Sequence, residues 1–335
     1  MIRPLLRPEA PAAHGYRIDV HLDPEVQRRD LAREVARGLR ARPRALPPKL
    51  FYDPAGSALF EKITRLDEYY PTRAEAALLG SHASELMLEV SPGDLVELGS
   101  GSSTKIRRLL DCAEPGVVLR YVPMDVDEDT VRHAAAGLVR DYPLLDVYAV
   151  VGDFEQHLAL LPPRRGRRLV TFFGSTIGNL HPPARQRFLS EVRHLLGPED
   201  RLLVGLDLVK PIPLLEAAYN DAQGVTAEFN RNVLRVVNRG LGANFDPQAF
   251  RHEARFDARH SRIDMFLVAE EPQAVNVRAL NLRLLLEAGE AIWTESSYKF
   301  TRARAASMLA AAGLDLERWL TDYEGRFALA LAAPV

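Results

Sequence analysis

The sequence has no H-E-x-x-H stretch, no cysteine–histidine cluster and no G-x-S-x-G turn. It therefore carries no signature of a zinc protease, a zinc-held module or a serine-hydrolase elbow, and no metal is expected. Its one cysteine in 335 residues, Cys112, has no internal disulfide partner, which fits a reducing compartment. A net charge of −2 gives no general attraction to nucleic acid or to an anionic membrane. No apolar run approaches the ~20 residues of a membrane span. The opening MIRPLLRPEAPAAHGYR is interrupted by Arg and Pro and lacks the apolar core of a signal peptide. What remains, 47% apolar and 26% charged residues, is the composition of a globular protein with material for a sizeable core. A cytoplasmic monomer with a small-molecule partner is the expectation.

The pattern changes along the chain. Residues 1–22 are rich in Pro and Arg and read as an extended arm. Residues 24–40 space Val26, Leu31, Val35 and Leu39 as an amphipathic helix does. From residue 94, short apolar runs alternate with helical segments: LVEL, RYVPMDV, VYAVVGDF, RRLVTFFGST and RLLVGLDLV read as strands. Strands alternating with helices argue for a parallel sheet covered on both faces. After Lys210 a helical stretch (213–239) precedes longer alternating runs at 250–257, 262–270 and 274–287, which read as antiparallel strands solvated on one face. The end, 300–335, returns to the first style. The expected fold is α/β, with a doubly wound domain from 73–208 and 300–335. A second, α+β domain would come from 23–72 and 209–299.

The segment VELGSGSSTK is a strand, a glycine turn and a helix start. Gly99 and Gly101 let bare backbone approach a ligand. Thr104 stands where a dinucleotide fingerprint has its third glycine, which weakens a dinucleotide reading. The next strand ends in MDVD, where a carboxylate can accept both hydroxyls of a ribose; the third ends in GDF, where Asp153 can accept from an adenine amine and Phe154 can stack on the base. The plainer reading of Asp125, Asp127 and Asp153 is that each caps a helix. Their succession at strand ends favours a nucleoside with a charged tail, S-adenosylmethionine. The fourth strand ends in FFGSTIGNL, where Asn179 and the Gly174 backbone either hold an amino-acid head group or cap the helix that follows.

LPPKLFYDPAGSALFEKITRLDEYYPTRAEAALL, VELGSGSSTKIRRLL, GDFEQHL, GSTIGNL, GVTAEFNRNVL, IDMFL and TESSYKF together resemble the histidine Nα-methyltransferases of ergothioneine biosynthesis. The similarity runs over roughly residues 45–335, in the same order and spacing. It implies a Rossmann-like class I methyltransferase domain, a second domain that closes over the amino acid, and transfer of methyl groups from S-adenosylmethionine to the α-amine of histidine. The cofactor positions it implies are Tyr52, Phe60, Gly99, Lys105, Asp125, Asp153 and Phe154. Tyr52, Asn179 and Gly174 would stand at the reacting amine, with Asn179 and Tyr219 on the amino-acid head group. Tyr69, Glu295 and Ser297 would meet the imidazole, with Met265 against the ring. Tyr298 departs from the family pattern, which has a smaller residue there, and is expected to point away from Ser297. Alternatives are another amino acid, such as tryptophan or a histidine derivative, and a non-catalytic cofactor-binding protein.

Two features of this set follow from local geometry. Thr-Glu-Ser-Ser puts Glu295 and Ser297 on one face of a strand. In EYYPTRAE, Pro71 biases Tyr70 to an extended conformation, so the adjacent tyrosines point opposite ways, and the resemblance picks Tyr69 for the ligand and leaves Tyr70 to the scaffold. Thr72 and Glu75 read as a capping box that starts a helix at Arg73.

Overall fold

The computed structural model describes residues 16–114 and 116–335. Strand β1 (Arg17–Val20) leads to helix α1 (Pro24–Arg40), which buries Val35 and Leu39; Asp23 caps it by accepting from the Glu25 and Val26 amides. A two-residue strand β2 (Arg44–Ala45), helix α2 (Pro54–Ile63) and the long helix α3 (Tyr70–Val90) follow. Then come β3 (Asp94–Leu98), α4 (Thr104–Leu110), β4 (Arg120–Asp125), α5 (Glu128–Asp141), β5 (Asp146–Val151), β6 (Arg168–Phe172), α6 (Pro182–Leu195) and β7 (Arg201–Asp207). Past β7 lie α7 (Ile212–Ala218), α8 (Val225–Leu241), β8 (Phe250–Asp257), β9 (Arg262–Ala269), β10 (Gln273–Val277), β11 (Leu282–Leu286) and β12 (Ala291–Tyr298). The chain closes with α9 (Arg302–Ala310), β13 (Leu314–Thr321) and β14 (Phe327–Pro334).

The larger sheet has the order β1-β5-β4-β3-β6-β7-β14-β13. Its strands are parallel from β1 to β7, and β14 runs antiparallel between β7 and β13. Strands β3 and β6 are buried along their whole length, as expected of strands covered on both faces. One face is closed by Phe188, Leu189 and Val192 of α6 and Leu309 of α9; the other by Leu79 and Leu86 of α3, Ile106 of α4 and Leu138 of α5. The chain order reverses between β3 and β6, so their C-terminal ends open a crevice of the kind in which α/β sheets bind ligands.

The smaller sheet, β2-β12-β9-β8, stands beside that crevice. Its core is built by Phe229, Val233, Leu234 and Val237 of α8 with Leu267 and Ile292. Phe51 stacks on Phe229 at 4.5 Å between ring centroids and ties the N-terminal segment to this core. The chain leaves the larger sheet after Asp207 and returns beside it: the Phe300 amide donates to the Asp207 carbonyl, and the Val209 amide to the Phe300 carbonyl. Among the described residues no helix is long and apolar enough to cross a membrane.

Four expectations need correction. Residues 17–20, expected in an extended arm, are extended but belong to the larger sheet as its edge strand, paired parallel with β5, and the arm's first 15 residues lie outside the described ones. The stretch 213–239 is not one helix: Gly224, at φ 73°, starts α8, and the Asp221 side chain accepts from the Val225 and Thr226 amides. The run 274–287 is the hairpin β10–β11, turned at Asn281 with φ 44°. Helix α3 begins at Tyr70 rather than Arg73, with no side chain capping it. Thr72 and Glu75 form no capping box, because the Glu75 side chain is turned inward.

Candidate active site

The turn after β3 is held open by its glycines. Gly99 and Gly101 have φ of 67° and 48°, a region that strains any other residue, and a side chain built on Gly101 would meet nothing within 4 Å. The Gly99 amide donates to the Met124 carbonyl at 2.8 Å, and the Gly101 amide to Asp125 Oδ2 at 3.0 Å. Asp125 Oδ1 also accepts from the Asp127 amide, leaving lone pairs on both oxygens for a diol. Burial raises the pKa of Asp125, against the pull of these amides. Ser100 Oγ is buried without a partner in this same turn. Phe154 lies 3.8 Å from the position of a Gly99 side chain, its ring held against Phe172 and Phe188. Asp153 accepts from the Glu155 amide and Gln156 Nε2 and so shapes its own turn without capping a helix, whereas Asp127 does cap α5, accepting from the Thr130 amide. Open backbone, an orphaned hydroxyl, a spare carboxylate and an aromatic edge fit an adenosyl group.

Helix α3 contributes a residue that sequence reasoning assigned to a cap. Glu75 is fully buried and accepts from the Gly174 amide at 2.8 Å, while Lys105 Nζ pairs with its other oxygen at 2.7 Å. It joins two residues expected at the site, Gly174 and Lys105, and fixes the turn after β6. Glycine at position 205 makes room: a side chain there would collide with Glu75 Oε1. Replacing Glu75 with alanine takes the acceptor from the Gly174 amide and the partner from Lys105, and is expected to lower unfolding stability by about 1–3 kcal/mol in a urea titration.

Across the crevice, β12 presents Glu295 and Ser297 on one face. Met265 pairs with Glu295 in the β9–β12 register and is buried beside it. Glu295 Oε1 accepts from Asn179 Nδ2 at 2.9 Å, joining the loop after β6 to the smaller sheet. Burial pushes the Glu295 carboxyl up to about 7, with Lys299 pulling the other way. Tyr219 Oη lies 2.8 Å from Ser297 Oγ. Residues expected on the amino-acid head group (Asn179, Tyr219) thus hydrogen-bond residues expected on the ring (Glu295, Ser297). Tyr298 points away from Ser297, as expected; its hydroxyl accepts from Arg262 Nη1 and lies 3.2 Å from His181 Nδ1.

An aromatic wall closes the remaining side. Tyr52 meets Phe60 edge-on at 6.2 Å, Phe60 meets Tyr69 at 6.1 Å, and Tyr69 meets Tyr219 at 6.3 Å. Tyr52 is 41% exposed, yet burial raises its hydroxyl pKa strongly, with the carboxylates of Glu295 and then Asp125 adding to the rise. Its two carboxylate neighbours place Tyr52 between the glycine turn and β12.

Sequence reasoning missed what lies behind this surface. Asp207, at the end of β7, accepts from Tyr70 Oη at 2.8 Å and pairs with Lys210 and with the fully buried Lys299, whose Nζ is 2.7 Å from Oδ2. Tyr70 therefore does more than fill the scaffold. Ser175 Oγ accepts from the Asp207 amide at 2.9 Å. The one local signal was a lysine directly after the TESSY strand, where an apolar core residue would be unremarkable.

A parallel sheet that reverses order at β3 and β6, ends in an antiparallel strand inserted between its neighbours, and carries an adenosyl-shaped turn at that reversal has the architecture of the class I S-adenosylmethionine-dependent methyltransferases. Within that class the chain belongs to the histidine-specific, SAM-dependent methyltransferase family, whose profile it matches over residues 31–334. It is 50% identical to the histidine N-alpha-methyltransferase of Mycolicibacterium smegmatis over 90% of this chain and 94% of that protein. It is 49% identical to the corresponding Mycobacterium tuberculosis protein, covering 93% and 98%. Ergothioneine biosynthesis protein 1 of Neurospora crassa is 27% identical over 87% of this chain, which spans 33% of that longer protein.

Proposed function

We propose that the protein transfers methyl groups from S-adenosylmethionine to the α-amine of L-histidine, three times over, yielding hercynine for ergothioneine biosynthesis. The observation that carries this reading is the buried Glu295, opposed by Met265 and two residues from Ser297, facing the glycine turn across Asn179 and Tyr52. On this reading the unit built on the smaller sheet, residues 23–72 and 209–299, binds the amino acid, and Gly99, Asp125 and Phe154 hold the cofactor with Lys105 and Asp153 nearby.

The cofactor, when bound, supplies a methyl already activated on a sulfonium. The chain must present the amine at attack distance, unprotonated and dry. The α-amine of a free amino acid is largely protonated at neutral pH, and desolvation beside a cation lowers its pKa. Tyr52 keeps its proton, since its pKa is raised, so a tyrosinate is not the base. Its ring, with that of Phe60, offers a π-face to the growing ammonium cation. Asn179 and the Gly174 turn, pinned by Glu75, position the head group.

The test is turnover. The purified chain with histidine and cofactor is expected to give a product heavier by three methyl groups; no histidine product, with another amino acid turned over, would overturn the proposal. A pH profile adds a second check. Glu295 is protonated below about 7 and then loses the negative charge with which it holds an imidazole N–H. The kcat/KM for histidine is expected to fall on the acid side with an apparent pKa near 7. In kcat the same limb moves to lower pH, because the bound N–H stabilises the carboxylate. Glu295→Gln should remove the limb near 7 and leave those of free histidine itself, its imidazole near 6.5 and its α-amine.

A further inference from the structure

Lys299 is the most deeply buried cation at the junction of the two sheets, with no exposed side-chain surface. An ammonium has three protons and no lone pair. Here they go to Asp207 Oδ2 at 2.7 Å, Ser297 Oγ at 2.8 Å and Tyr219 Oη at 2.8 Å. Both hydroxyl oxygens are therefore acceptors towards the lysine. They are also 2.8 Å from each other, so one must donate to the other. A phenol is the better donor and an alkyl hydroxyl the better acceptor, so Tyr219 donates to Ser297. Ser297 Oγ then receives two protons, its lone pairs are filled, and its own proton has only the ligand to bind.

We infer that Lys299 is a positioning residue that fixes Ser297 as a pure hydrogen-bond donor to the substrate ring. This rests on the proposal that the substrate is histidine. Ser297 then reads the ring nitrogen that carries a lone pair, while Glu295 reads the one that carries a proton. A ring with a C–H where Ser297 needs an acceptor leaves that donor unpaired in a buried site, which is the costly kind of mismatch. Glu295 alone asks only for an N–H; Lys299, acting through Ser297, makes the site ask for both nitrogens.

The two β-pyrrolyl-L-alanines, attached at ring carbon 2 or 3, test this, since each keeps one N–H and replaces one or the other second nitrogen by C–H. The wild-type chain is expected to prefer histidine over the better of the two by about 100-fold in kcat/KM. Lys299→Gln and Ser297→Ala should each lower that preference about tenfold, and the double variant should lower it no further than Ser297→Ala alone. Preference unchanged in Lys299→Gln, with all substrates slowed alike, means a purely structural lysine and overturns the inference; so does additivity in the double variant. Should Lys299→Gln not fold, Ser297→Ala alone decides, because an undiminished preference there means Ser297 is not read as a donor. Absence of any histidine turnover by the wild-type chain strikes the proposed function itself, and is seen before any variant is compared.

Discussion

Replacing Glu295 with alanine is expected to lower kcat/KM for histidine by about two to three orders of magnitude while leaving cofactor affinity within about twofold. The reasoning is local. Glu295 is 8% exposed, so the imidazole N–H that meets it is desolvated on arrival. Without the carboxylate that N–H has no partner, and a charged-group hydrogen bond worth about 1.5–3 kcal/mol is lost together with the desolvation already incurred. Asn179 Nδ2 loses its acceptor as well, so the loop that positions the amine is freed. The cofactor residues are spared because Gly99, Asp125 and Phe154 sit on strand ends of the larger sheet, and none hydrogen-bonds Glu295. Steady-state kinetics with histidine and calorimetry with the cofactor give the two numbers. Equal losses in both would mean that Glu295 supports the crevice as a whole rather than the ring.

How much of this was legible beforehand depended on sequence distance. The glycine turn and Asp125 stood out because strand, turn and acidic strand end are local patterns with local causes: φ of 67° and 48° at positions 99 and 101 strains a residue with a side chain. The period-two rule placed Glu295 and Ser297 on one face because it needs nothing beyond the strand itself. The choice of those residues as a ring-binding set came from resemblance, since an isolated glutamate on a strand is usually solvated. Glu75 was misread for the opposite reason. Its T-x-x-E setting is a local pattern, yet its partner Gly174 lies 99 positions on, and the buried side chain bonds that amide instead of the cap. Tyr70 and Asp207, 137 positions apart, gave no sequence signal of their meeting. Strand β1 was hidden because an edge strand paired on one side need not be apolar, and RIDV carries as much charge as apolar surface.

Asp207→Ala is expected to be the most destabilising single substitution among the polar residues of the junction, at about 3–5 kcal/mol, the cost of leaving buried charge without its partner. Asp207 stands where the chain leaves the larger sheet and where Phe300 brings it back. Burial alone would raise its pKa, but Lys299 and Lys210 outweigh burial and hold it below the usual carboxylate value. Removing it leaves two lysines with side chains 0% and 4% exposed facing one another, and Tyr70 Oη without its acceptor. Neither lysine can reach water without opening the junction between the sheets. Lys210→Met should cost much less, because Lys299 remains as counter-charge to the carboxylate. Linkage fixes the pH dependence. A carboxylate with a depressed folded pKa stabilises above its unfolded value, near 4, and loses that contribution as pH falls through the folded value. The stability gap between the wild-type chain and Asp207→Ala should therefore be full at neutral pH and narrow below about pH 4. Urea titrations at neutral and acid pH measure it, and a gap that does not narrow on acidification would mean that the cost is packing rather than charge.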